Sequence, residues 1–88
     1  MVVTVTATEP WRYEVQEART VLFASVSVPE GSATIEVLHN GELQDRIHTS
    51  VPHSWWKLAG QPFVPRLQPG DVVEVRSTGT VDLRVDFE

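Results

Sequence analysis

The side chains of this sequence that could do chemistry are three histidines, a set of carboxylates and four amphipathic rings. A metal site needs its donors gathered at one spot with fixed geometry. His39 falls at a turn and His48 far along the strand that follows, with His53 beyond a proline, so the three are not gathered. They read as solvated turn and strand residues, and no metal centre is expected from them. His53-Ser54 together with Asp45 supplies the letters of a hydrolytic triad, but no nucleophile elbow aims them at one another. The five glycines stand singly at turn positions, so no loop is offered for a phosphate group. No catalytic residues and no cofactor are expected, and the chain does not read as an enzyme.

The carboxylates Glu74, Asp82 and Asp86 would share one face if the last two strands paired as a hairpin, with Glu74 opposite Asp82. Like charges directly opposite destabilise a sheet. A structural calcium would offset that, since it takes oxygen ligands. Arg76 and Arg84 interleave with the same acids, however, and diagonal ion pairs on a wet face account for the pattern without an ion.

The rings are Trp11 and Tyr13 near the start, and Trp55 and Trp56 side by side within PHSWWKLAGQPFVP, a stretch fenced by prolines. Neighbours on a strand point to opposite faces. Trp56 shares its parity with Leu58, which suggests Trp56 inward and Trp55 with Lys57 outward. Three roles stay open for these rings: core clamps at the end of the fold, anchors in a protein contact, or stacking platforms for a sugar. Thr4, Thr6 and Thr8 form a second regular feature. They are either a solvent face of good strand formers or the flat, uncharged edge on which another subunit pairs.

The elements that must carry these residues are strands. Valine, threonine and isoleucine supply 25 of the 88 residues, and apolar and polar positions alternate with period two from end to end. Val3, Val5 and Ala7 alternate with the threonines until Glu9-Pro10 breaks the run; Tyr13 and Val15 open a second short strand. Thr20 to Val28 is more apolar and reads as a central strand. Ala33, Ile35 and Val37 face one way, and parity then favours a three-residue loop, His39-Asn40-Gly41, which sets Val37 opposite Leu43 and Ala33 opposite Ile47. By the same reasoning Ser77-Thr78-Gly79 closes a C-terminal hairpin with Val75 opposite Val81. Val81, Leu83, Val85 and Phe87 give the last strand one dry face, and Asp82, Arg84, Asp86 and Glu88 give it one wet face.

Seven or eight short strands with no helix to cover a sheet imply an all-β fold: a single antiparallel β-sandwich or jelly roll spanning residues 1–88. The strand Thr20–Val28, the segment WWKLAGQPF, the connector LQPGDVVEVRS and the last strand TVDLRVDFE together resemble the galactose-binding-like jelly rolls, which include many carbohydrate-binding modules. The resemblance spans residues 20–88 and implies the sandwich fold. It also implies a sugar as one ligand class, with Trp11, Tyr13, Trp55 and Trp56 as the stacking rings.

Charge and composition narrow the partners. A net charge of −5 with one lysine, Lys57, and scattered arginines excludes a phosphate backbone as a target. No basic leader or long apolar run is present, so export and membrane spanning are not expected, and the chain reads as cytoplasmic until assembled. Without cysteine, so small a fold draws its stability from apolar packing or from partners. The expected function is that of a non-catalytic structural subunit, such as an accessory or decoration protein of a phage particle or similar assembly. Its partners would be copies of itself, a trimer above all, or a capsid or tail lattice. A carbohydrate-binding module is the alternative.

Overall fold

The computed structural model describes residues 1–17, 21–56 and 67–87. Within them the period-two alternation becomes eight strands: β1 (Val2–Val5), β2 (Trp11–Glu14), β3 (Val21–Ser27), β4 (Ala33–His39), β5 (Glu42–Thr49), β6 (His53–Trp56), β7 (Val72–Ser77) and β8 (Val81–Phe87). They form two four-stranded antiparallel sheets in the orders β1-β8-β3-β6 and β2-β7-β4-β5. Consecutive strands therefore mostly alternate between sheets, and each sheet carries every other turn of a folded ribbon. That interleaving of two Greek keys is the jelly-roll arrangement expected for an eight-stranded sandwich.

The inward positions of both sheets meet in one core. Val5, Ala24, Val26, Val81, Leu83 and Val85 come from the first sheet, and Ala33, Ile35, Val37, Val73 and Val75 from the second. Val15 and Leu67, just outside the strands, close it. On β8 the alternation is strict: Val81, Leu83 and Val85 are buried while Arg84 is exposed and Asp82 and Asp86 are half-exposed. The central position read for β3 also holds, since β8 and β6 flank it.

Two turns differ from the sequence reading. The β4–β5 connection is a two-residue turn, Asn40-Gly41, with His39 paired to Glu42. Both turn residues have positive φ, 51° and 84°, the signature of a type I′ turn. The parity conflict that argued for a longer loop is real, but the extra residue lies within the strand. The register steps from Leu38↔Leu43 to Val37↔Asp45, so Gln44 bulges and Ile35↔Ile47 returns to the buried row.

The C-terminal pair is not a hairpin at all. β7 pairs with β2 and β4, whereas β8 pairs with β1 and β3, and the Ser77–Thr80 connection crosses between the sheets. Val75 consequently pairs with Trp11 and Val37, and Val81 with Val5. Two strands that each carry a dry face can meet across a core as well as side by side, and alternation is the same in both cases. With the hairpin goes the like-charge pair: Glu74 lies opposite Arg12 and Leu38, and Asp82 opposite Thr4 and Ser27.

Candidate functional site

The strand β1 is an edge, bonded to β8 and to no other described strand. Its register is Val2↔Arg84, Val3↔Leu83, Thr4↔Asp82 and Val5↔Val81. Beyond it Met1 N donates to the Val85 carbonyl (3.0 Å) and Val85 N donates to the Met1 carbonyl (2.9 Å). Met1 and Val85 are thus a hydrogen-bonded pair, and such pairs alternate along an antiparallel ladder. Val3 and Val5 therefore bond to β8, while the amides and carbonyls of Val2 and Thr4 point away from it.

The side chains of this strand divide between core and surface. Val5 is fully buried and Val3 half-buried against the core. Val2 and Thr4 project outward, and Thr4 Oγ1 donates to Asp82 Oδ1 at 3.3 Å. Of the four large apolar side chains left exposed among the described residues, two lie here, Val2 at 67% and Met1 at 48%. The expected flat row Thr4, Thr6, Thr8 is shorter than the sequence suggested. β1 ends at Val5, Thr6 N donates to the Glu9 carbonyl, and the Glu9 amide donates to Thr6 Oγ1. Thr6 and Thr8 belong to a turn, their hydroxyls 3.4 Å apart.

Trp11 and Tyr13 lie on β2, the adjoining edge of the opposite sheet. They pair with Val75 and Val73, both buried, so they share the inward face. Their rings stack with centroids 5.8 Å apart and planes 4° from parallel, half-buried against the core. Each ring therefore covers a face of the other, and together they pack against the core from the β2 edge. At the other sheet edge the backbone pairs Trp55 with Ala24 and Trp56 with Phe23. The directions assigned to the Trp55 and Trp56 rings, and the placement of Lys57, lie outside what is described of these residues.

A second constellation gathers at one end of the molecule, and only its turn signals were visible in the sequence. Asp71 N donates to the Gln68 carbonyl (3.0 Å) around Pro69-Gly70, with Gly70 at φ 89°, a type II turn. The Asp71 carboxylate accepts from the Gln68 amide, from His39 Nε2 (3.0 Å) and from Asn40 Nδ2 (3.2 Å). Those donors, the Gln68 amide foremost, then His39 and Asn40, hold its pKa at about 2, below the usual 3.8. An ionised carboxylate only accepts, so His39 carries its hydrogen on Nε2. Asn40 completes the lock by donating its amide to the Val72 carbonyl and accepting the Val72 amide on Oδ1, both at 2.8 Å. The bonds from His39 and Asn40 hold the β4–β5 turn to the start of β7, and those from Gln68 fix the Asp71 turn, which makes the cluster a clasp.

Among the described residues, the remaining polar ones do not gather into one site. His48 Nδ1 lies 2.9 Å from Thr34 Oγ1 on the outer face of its sheet. His53 opens β6 in the other sheet from Asp45 on β5. No group of three or more metal-ligating side chains forms among the described residues. Arg46 binds Glu36 through Nε (2.9 Å) and Nη2 (2.6 Å), and Arg76 binds Glu74, so the outer face of β2-β7-β4-β5 is laced with its own ion pairs. On the outer face of the other sheet a shallow groove of about 410 Å³ is lined by Val2, Ser25, Ser27, Pro52, Asp82 and Arg84. No protein-family model, curated protein or solved structure matches this chain.

Proposed function

We propose that this chain is a non-catalytic interaction subunit that associates with itself through the β1 flank. The observation that carries this is the edge itself: an uncharged strand with outward-facing backbone groups at Val2 and Thr4, next to exposed Met1 and Val2. Unpaired strand edges template further strands, and natural sheets guard against this with charge, proline or bulges. A fold of this size without staples gains much from such assembly. Its place as an accessory or decoration component of a phage particle or similar lattice, cytoplasmic until assembled, extends fold-level analogy. Light scattering across a concentration series tests the reading. A defined closed multiple of the 9.9 kDa chain supports it, and a single-chain mass at every concentration contradicts it.

A second reading, sugar binding, draws on the groove beside Val2, where Ser25, Ser27, Asp82 and Arg84 offer hydroxyl-recognising groups. Sugar sites also use ring faces, and among the described residues that line this groove there is no aromatic ring. Titration calorimetry with mono- and oligosaccharides tests this reading; the absence of binding heat across the series removes it.

A further inference from the structure

We infer that β1 pairs with β1 of a second copy of this chain about a two-fold axis through Val3, joining two sheets into one eight-stranded sheet. This rests on the self-association proposed above and specifies its surface, register and symmetry.

The register follows from the backbone. In antiparallel pairing, residues whose N–H and C=O both point toward the partner must face each other. On the free side of β1 those residues are Val2 and Thr4. Placing the axis at Val3 sets Val2 opposite the second copy's Thr4, and Thr4 opposite the second copy's Val2. All four donors and acceptors of each strand's pair are then used, giving four hydrogen bonds. An axis at Thr4 would set Val2 opposite Thr6, whose amide is already donated to Glu9. An axis at Val2 leaves Thr4 facing beyond the strand's start.

Charge does not oppose this register. Two copies that each carry −5 must meet where charge is lowest, and Val2–Val5 carries no charged side chain. With the axis at Val3, the row running across the outer face begins at Arg84 beside Val2 and ends at the second copy's Asp82 beside its Thr4. With the axis at Thr4, that row would instead hold Asp82 at both ends. The apolar exposure is covered as well. Val3 meets its symmetry mate on the inner face, and Met1 comes opposite the second copy's Val5. An isologous contact of this kind closes at two chains.

Two of the other edges, β2 and β5, do not offer this. β2 follows Pro10 and carries Arg12 and Glu14. β5 is bulged at Gln44, and its Arg46 amide is occupied by Asp45 Oδ1 at 2.9 Å.

The chain has no cysteine, so single-cysteine variants report the register directly. Val3→Cys places two thiols at a non-hydrogen-bonded pair, where Cα atoms lie about 4.5 Å apart, within disulfide reach. Val2→Cys and Thr4→Cys place like positions roughly 8 Å apart, beyond that reach. Under mild oxidation, Val3→Cys is expected to form a covalent dimer as its main species, with loss of most of that band in the other two. Thr4→Pro is the companion variant. It deletes an N–H that β8 does not use, so it leaves the ladder intact while reducing the solution mass to one chain. A wild-type oligomer whose mass Thr4→Pro leaves unchanged, or crosslinking at Val2→Cys or Thr4→Cys in place of Val3→Cys, overturns the β1 pairing and leaves self-association standing. A trimer insensitive to both does the same. A wild type that is one chain at every concentration, with no crosslinked variant, removes both.

Discussion

β1 and β5 are both outermost strands, one in each sheet, yet their outer sides are built in opposite ways. β5 spends side chains on its backbone. Asp45 caps the Arg46 amide, Gln44 bulges out of register, and Glu42, Asp45 and Arg46 place charge along the strand. β1 spends none on its free side: among the described residues, the side-chain bond of this strand runs from Thr4 to Asp82, back along its own sheet. Charge, bulges and self-capping are how sheets refuse a partner. The difference between the two edges is the ground for proposing β1, and not β5, as the side that accepts one.

Adjacent substitutions in β1 should break that comparison most sharply. Val3→Pro deletes an N–H bonded to β8 and should cost about 2–3 kcal/mol, read by denaturant unfolding. Thr4→Pro, one residue on, should stay within about 1 kcal/mol of the parent when both are unfolded at dilutions where each is a single chain, because its N–H faces outward. Equal losses at the two positions would mean that the alternation along β1 is not as described.

The guarded side of the molecule has its own test in pH. Asp71 ionises at about 2 in the folded chain against about 3.9 in an unfolded one, so the carboxylate form is the one the fold favours. Its contribution is fully present above about pH 4 and is lost as pH falls toward 2. Denaturant midpoints should therefore drop through that window, and Asp71→Asn should flatten the part of the slope that Asp71 supplies. Gly41→Ala acts on the same turn at φ 84°, where a Cβ is strained, and should cost about 1 kcal/mol in thermal unfolding.

The smallest effect concerns the guard on β5. Asp45→Ala frees the Arg46 amide. It should change stability by less than about 0.5 kcal/mol while adding a rise in mass beyond the closed oligomer of the parent at high concentration.

Alternation made the layers of this fold legible: Ala33, Ile35, Val37, Val81, Leu83 and Val85 are all buried, as their spacing requires. It did not reveal which strands are neighbours. β7 and β8 have matching dry faces, and nothing local distinguishes a hairpin from a crossing between sheets, so Val75 met Trp11 and Val37 where Val81 had been expected. In the β4–β5 hairpin, parity showed one surplus residue, but its position, Gln44 in the strand and not the loop, depends on the Asn40-Gly41 pair adopting positive φ together.

At the candidate site, Val2–Thr4 as an uncharged edge could be read from residue types. The loss of Thr6 and Thr8 from it could not, because that depends on the Thr6–Glu9 turn bonds. Trp11 and Tyr13 were legible as rings but not as inward ones, since their direction is fixed by pairing with Val75 and Val73 across a long stretch of chain. The Asp71 clasp was equally hidden: Leu-Gln-Pro-Gly-Asp marks a turn, while the partners His39 and Asn40 come from a different hairpin.

The most direct test of the β1 edge is residue-resolved amide exchange on the full chain at low and high protein concentration. The Val3 and Val5 amides should be protected at both, because they bond to β8. The Thr4 amide should exchange freely when dilute and gain protection as concentration rises, in step with the solution mass. A Thr4 amide that exchanges freely while the mass rises would show that the chains meet on another surface.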